Sequence, residues 1–175
     1  MLDPTLCLDE KVWGDFASKR KYKFPYVLVY QLHGDDDTFE RACKFAKKNN
    51  LKVIKIVTMY HNLKSNCINE MLPSVEEFLS LFKYAEYVFT DSFHGTAFSI
   101  TFKRKLGVIL PKKFNGRITS LLSQIDMNQC ILNEDEFDID SKISSSDING
   151  AADSLKLLRE NNVNNFKNKL ETLVK

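Results

Sequence analysis

Thr90-Asp91-Ser92-Phe93-His94-Gly95-Thr96 places an acid, a hydroxyl and an imidazole between two apolar runs. Upstream, Tyr87-Val88-Phe89-Thr90 reads as a short strand; downstream, Thr96-Ala97-Phe98-Ser99-Ile100-Thr101-Phe102 reads as a helix. The polar residues therefore fall in a strand-to-helix turn, which is where open α/β sheets place their ligands.

Outward from this turn, strand and helix patterns alternate from Phe24 onward, as βαβ units with a parallel sheet require. Tyr26 to Tyr30 is a strand, and Asp37 to Asn49 a helix with Phe39, Ala42, Cys43 and Ala46 turned to the core. Lys52 to Thr58 is a second strand, whose alternating lysines predict an exposed face or a place near the sheet edge. A loop through Asn62 and Asn66 leads to Pro73-Ser74-Val75-Glu76-Glu77, where Ser74 and Glu77 make a capping box for a helix with Val75, Phe78, Leu79 and Phe82 inward. Leu106 to Leu110 is a strand stopped by Pro111, Arg117 to Ile125 a helix, and Cys130-Ile131-Leu132 a last short strand.

Beyond the acidic loop from Asn133 to Asp140, serines and Asp147 cap a long C-terminal helical region, with a break expected near Asn161-Asn162. Its stripe of Val163, Phe166, Leu170 and Leu173 or Val174 calls for a partner surface. At the other end, Leu2, Leu6, Leu8, Val12, Trp13 and Phe16 form an apolar cluster before the basic linker Lys19-Arg20-Lys21-Tyr22-Lys23. The predicted organisation is an N-terminal segment and linker over residues 1–24, then a Rossmann-like α/β domain over 25–175.

A chain of 175 residues with 43% hydrophobic content can bury one sizeable core. Its formal charge of +2 is too balanced to wrap nucleic acid, so any anion must be bound locally. Cys7, Cys43, Cys67 and Cys130 show no C-x-x-C pair and read as reduced thiols, hence a cytoplasmic setting. No apolar run approaches a membrane span, which leaves peripheral association as the only membrane contact expected.

All three histidines lie beyond the carboxyl ends of strands: His33 after the first, His61 after the second, and His94 after Thr90. Lys112, Lys113 and Arg117 follow Leu110. His61 alone reads as an ordinary loop residue. At His94, Asp91, Ser92 and a glycine that admits a ligand to the backbone share the turn, and the N–H groups of Gly95, Thr96 and Ala97 at a helix start would attract phosphate or carboxylate. Asp35-Asp36-Asp37 would repel a phosphate and read as helix capping or as acceptors for sugar hydroxyls. Dinucleotide, P-loop and nucleophile-elbow signatures are absent. Ser92 and His94 are too close along the chain to favour a Ser-His pair, and no His-x-x-x-His spacing argues for a metal.

The run from Thr90 to Ile100 resembles the T-D-S-F-H-G-T-x-F-S-I block of the polysaccharide pyruvyl transferase family. Leu2-Asp3-Pro4-Thr5-Leu6 through Trp13, Pro25 to Tyr30, and Asn115-Gly116-Arg117-Ile118 through Leu122 are similar to other parts of it, so the resemblance covers most of residues 1–125. It implies the C-terminal, Rossmann-like lobe of a two-lobed protein resembling GT-B glycosyltransferases, with an N-terminal acceptor lobe as its partner. The implied activity is transfer of pyruvate from phosphoenolpyruvate to sugar hydroxyls as a ketal, on a sugar or lipid-linked oligosaccharide precursor of capsule or exopolysaccharide. The implied setting is cytoplasmic, at the inner face of the membrane, with no cofactor and no metal. His94 becomes the donor-binding general acid, and Asp91, Ser92, Gly95, Thr96, Arg117 and His33 the expected substrate contacts. Some members carry arginine two residues before the histidine; Ser92 stands there in this chain, which shifts the expected anion grip to Arg117 or a nearby lysine. A GT-B lobe for a nucleotide sugar and a non-catalytic binding module are the alternatives that the same pattern admits.

Overall fold

The computed structural model describes residues 2–33 and 37–173, with side chains through residue 165. Five parallel strands, β1 (Tyr26–Tyr30), β2 (Lys52–Val57), β3 (Ile68–Met71), β4 (Tyr87–Thr90) and β5 (Lys105–Val108), lie in the order β3-β2-β1-β4-β5. The chain steps outward from β1 to β3, then returns to the far side of β1 with β4. The switch point therefore lies between β1 and β4.

Both faces of the sheet are covered, so the central strands are apolar nearly throughout. One face carries α2 (Asp37–Lys48), with Phe45 packed edge-on to Tyr87 at 4.6 Å and tilted against Phe89 at 5.6 Å. The other carries α3 (Val75–Lys83) and α4 (Phe93–Thr101), where Tyr30 meets Phe78 and Phe82, and the buried Tyr26 hydroxyl donates to Leu81 O at 2.7 Å. From Gly95 to Thr101 every residue of α4 is buried. A helix apolar on all sides needs a second cover. The N-terminal segment and α6 (Ser145–Leu173) provide it: Leu6 joins the core, Trp13 of α1 (Glu10–Phe16) packs on Phe98 at 5.3 Å, and Arg159 Nε donates to Leu6 O at 2.7 Å. The remaining helix, α5 (Gly116–Gln124), buries Ile118, Leu121 and Leu122.

Several expectations hold in detail, including the Ser74–Glu77 capping box, and all four cysteines are free thiols. Others are corrected. The stretch after β2 is not all loop, since Ile68–Met71 pairs with β2 as the sheet edge. β2 is accordingly one strand in from the edge, which agrees with the expected place near the sheet edge, but it has no exposed face: Lys55 is 3% exposed with its ammonium 5.0 Å from the Phe39 ring centroid. The aromatic face replaces part of the solvation that the lysine loses. Val75 is 67% exposed rather than inward, because it sits beside the cap in the first turn of α3. Cys130-Ile131-Leu132 contributes a single bridge from Ile131 to Val108 after a 3-10 turn, not a strand.

The C-terminal helix runs unbroken through Asn161-Asn162, where Asn162 donates to Leu158 O and accepts from Leu2 N instead of capping an end. Its buried stripe is Ile148, Ala151 and Leu155; Asp35, Asp36, Val174 and the side chains of Phe166, Leu170 and Leu173 lie outside the described residues.

Arg41 fixes the loop after Leu132 to α2. At 7% exposure, it makes a forked pair with Asp37 (2.8 and 2.6 Å) and donates from Nη1 to Glu136 O at 3.1 Å and to Asn133 O. Arg41→Met keeps the apolar stem and leaves those carbonyls without their donor. A loss of about 1–3 kcal/mol in urea denaturation is expected, with faster amide exchange confined to residues 132–137.

Candidate functional site

The heptapeptide is a joint before it is a site. Thr90 Oγ1 donates to Tyr30 O at 2.6 Å and accepts from Ser92 N at 3.0 Å, which locks the end of β4 to β1. Ser92, 2% exposed, is the N-cap of α4, and its Oγ accepts from Gly95 N at 3.4 Å. The helix thus begins at Phe93, one turn earlier than its apolar pattern predicts. The cap decides the boundary. The N–H groups at the open end belong to Phe93 and His94, rather than to Gly95, Thr96 and Ala97.

Gly95 has a packing reason. A Cβ there would lie 2.9 Å from Thr90 Cβ and 3.1 Å from Thr90 Cγ2, so the glycine admits the strand, not a ligand. Thr96 is fully buried and donates from Oγ1 to Ser92 O at 3.0 Å. Asp91 is 2% exposed, and its carboxylate accepts from Leu32 N and His33 N, both at 2.8 Å, with His33 Nδ1 at 3.2 Å. Of the seven residues, only Phe93 and His94 are partly exposed.

Arg117, from the start of α5, lies 4.1 Å over the Phe93 ring, which itself stands 5.6 Å from the His94 ring. The guanidinium also pairs with Asp3, from the turn before the N-terminal 3-10 helix. Burial pushes the Asp3 carboxyl up, but Thr5, Arg117 and His94 together outweigh it and hold the group below its ordinary value of 3.8. Asp3, Phe93, His94 and Arg117 therefore form one cluster at the carboxyl edge of the sheet. Beside it, a cleft of about 530 Å³ is lined by Asp3, Phe93, Arg117 and Ser120.

His33 faces a separate cavity of about 350 Å³, with Lys112 and Lys113 across from it. His61 is exposed on a 3-10 turn beyond β2, away from both spaces. Asp3 and Phe93 were not among the predicted site residues. Phe93 looks like a core aromatic in sequence, and Asp3 reaches the site only through tertiary packing of the N-terminal segment. Ser92 is buried at the cap, so the exposed positive charge of this edge comes from Arg117, Lys112 and Lys113. Among the described residues, no three His, Cys, Asp or Glu side chains gather as a metal site, and no helix is long and apolar enough to cross a membrane.

The fold defines the class: a Rossmann-like α/β fold, a five-stranded parallel sheet with flanking helices, shared with a GT-B glycosyltransferase. The spinosyn forosaminyltransferase SpnP, a GT-B glycosyltransferase, superimposes with a TM-score of 0.53 at 14% identity, over 99% of this chain and 47% of its own. The chain thus spans about half the length of that structure. A profile of polysaccharide pyruvyl transferases matches residues 1–110, and the chain belongs to that family. No curated protein matches the chain.

Two measurements check this geometry. Gly95→Ala drives a methyl group into Thr90, and overpacking of this kind should lower stability by about 1–3 kcal/mol in urea. Asp3 is depressed in the folded state, so its contribution is complete above 3.8 and is lost as pH falls through the lower folded value. Asp3→Asn should therefore be less stable than the parent at neutral pH, and the gap should close on acidification.

Proposed function

We propose that this chain is the donor-binding lobe of a pyruvyl transferase that moves pyruvate from phosphoenolpyruvate to two sugar hydroxyls as a ketal. The acceptor is a sugar or lipid-linked oligosaccharide precursor of a cell-surface polysaccharide, handled in the cytoplasm at the inner face of the membrane. A second, N-terminal lobe binds that acceptor. The observation that carries the reading is the placement of a half-buried His94 beside Arg117 at the carboxyl edge, inside the family's histidine block.

Ketal formation requires a proton at the methylene carbon, attack at C2 by two hydroxyls, and loss of phosphate. An imidazole titrates near neutrality and can deliver that proton, which is typically worth about 10²–10⁴-fold. Arg117 has five donors in a planar fork, and pairing with Asp3 leaves part of the fork for a carboxylate or phosphate. Phe93 supports the guanidinium from below, so the donors keep a fixed plane. No metal or cofactor enters this scheme.

In the full-length protein, His94→Ala should lower ketal formation by about 10²-fold or more. Turnover equal to the parent's would overturn the reading. Calorimetry should give binding of phosphoenolpyruvate and none of uridine diphosphate; the reverse would make the lobe a nucleotide-sugar binder. If neither binds and no turnover is found, the non-catalytic alternative stands.

A further inference from the structure

The cavity at the switch point between β1 and β4 lies apart from the donor grip of His94 and Arg117 and is lined by neither. One wall is the loop after β5, where Lys112, Lys113 and Phe114 follow one another, and Asn115 closes that loop by donating from Nδ2 to Pro111 O at 3.3 Å. Both lysines are exposed, and among the described residues neither ammonium has an ion-pair partner. Phe114 has a φ of 62°, a left-handed backbone that bulky residues avoid, and it is 90% exposed. A strained, exposed aromatic gains nothing from the core and is the kind of feature that a ligand clamp retains. Across from this loop stands His33, above the buried Asp91, whose carboxylate is already taken by the backbone N–H groups of Leu32 and His33 at 2.8 Å. The cavity therefore offers two free positive charges beside an aromatic face.

We propose that this cavity binds a phosphorylated sugar, with the phosphate between Lys112 and Lys113 and the sugar ring against Phe114. Two unpaired ammonium groups at a confined space of about 350 Å³ suit a phosphoryl group. The apolar C–H face of a pyranose ring is in turn withdrawn from water when it lies on an aromatic ring. Resting on the pyruvyl transfer reading, the ligand is the phosphate-bearing end of the oligosaccharide acceptor, held here while a sugar further along it meets the donor at His94. Both places lie on the carboxyl edge of one sheet, so an extended acceptor joins them and the donor never enters this cavity.

Calorimetry on this 175-residue chain with the 1-phosphates of glucose, galactose and mannose should find at least one that binds more tightly than both inorganic phosphate and the free hexose. The double substitution Lys112→Ala and Lys113→Ala should abolish that binding, and Phe114→Ala should weaken it about tenfold. All three side chains are exposed, so the variants keep the fold, and their affinity for phosphoenolpyruvate should equal the parent's. No binding of any hexose phosphate, inorganic phosphate bound equally well, or full binding in the variants would refute the proposal. Uridine diphosphate bound in a Phe114-dependent way would refute it too, as the mark of a nucleotide site. If the variants lose phosphoenolpyruvate as well, the cavity is part of the donor grip: the inference fails and the pyruvyl transfer reading stands. Sugar-phosphate binding by a full-length protein that transfers no pyruvate overturns that reading alone and leaves the site. Tighter binding of a hexose dodecyl phosphodiester than of the 1-phosphate identifies a lipid-linked ligand, and the opposite order a free phosphate monoester.

Discussion

The first turn of α4 lies directly on the end of β4, and the absence of a side chain at Gly95 is what allows it. Thr90 occupies the space that a Cβ would need, and from there its hydroxyl bonds both to β1 and to the backbone of Ser92. With the strand end and helix start fixed to each other, the residue between them has little freedom. Asp91 is turned back toward the loop after β1, and Ser92 closes the helix. A segment that sequence suggests is a row of ligand contacts is chiefly a clamp joining β1, β4 and α4. Phe93 and His94 are what it presents.

The clamp also explains why distant parts of the chain reach this edge. Because α4 is buried all round, something must cover its outer side, and the N-terminal segment does so together with α6. That cover brings Asp3 to Arg117, and Arg117 to Phe93. A packing requirement of one helix therefore sets the electrostatics beside His94. The hydrogen bond from Leu2 N to Asn162 holds the first residues of this cover to the last helix.

What could be read from sequence is what periodicity and local capping determine. β1, α2 and the Ser74–Glu77 box follow from patterns only a few residues long. β3 does not, because its four residues, Ile68-Asn69-Glu70-Met71, are half polar and the Glu70 charge is buried only by virtue of Lys21 and Tyr22 from the linker. Lys55 misleads for the same reason: an ammonium in a strand argues for solvent until an aromatic ring from α2 is placed over it. Within the heptapeptide, the chemistry of each residue was legible but its direction was not. Direction depends on the Thr90–Gly95 contact, which links residues on adjacent elements and leaves no periodic trace.

Net charge is a poor guide to what this edge can hold. The chain as a whole carries only +2, yet among the described residues the acids at the carboxyl edge are already engaged: Asp91 with the backbone N–H groups of Leu32 and His33, Asp3 with Thr5 and Arg117, and Asp37 with Arg41. Lys112 and Lys113 stand exposed above the same edge, with Arg117 a few residues on. Paired acids contribute little field at a distance, whereas exposed cations near a low-dielectric wall contribute more. Among the described residues, the balance of free charge at this edge is accordingly more positive than the composition implies. Such an edge suits a small, highly charged anion in a confined space, as the proposed donor is, better than a long polyanion that would need charge spread over the whole surface.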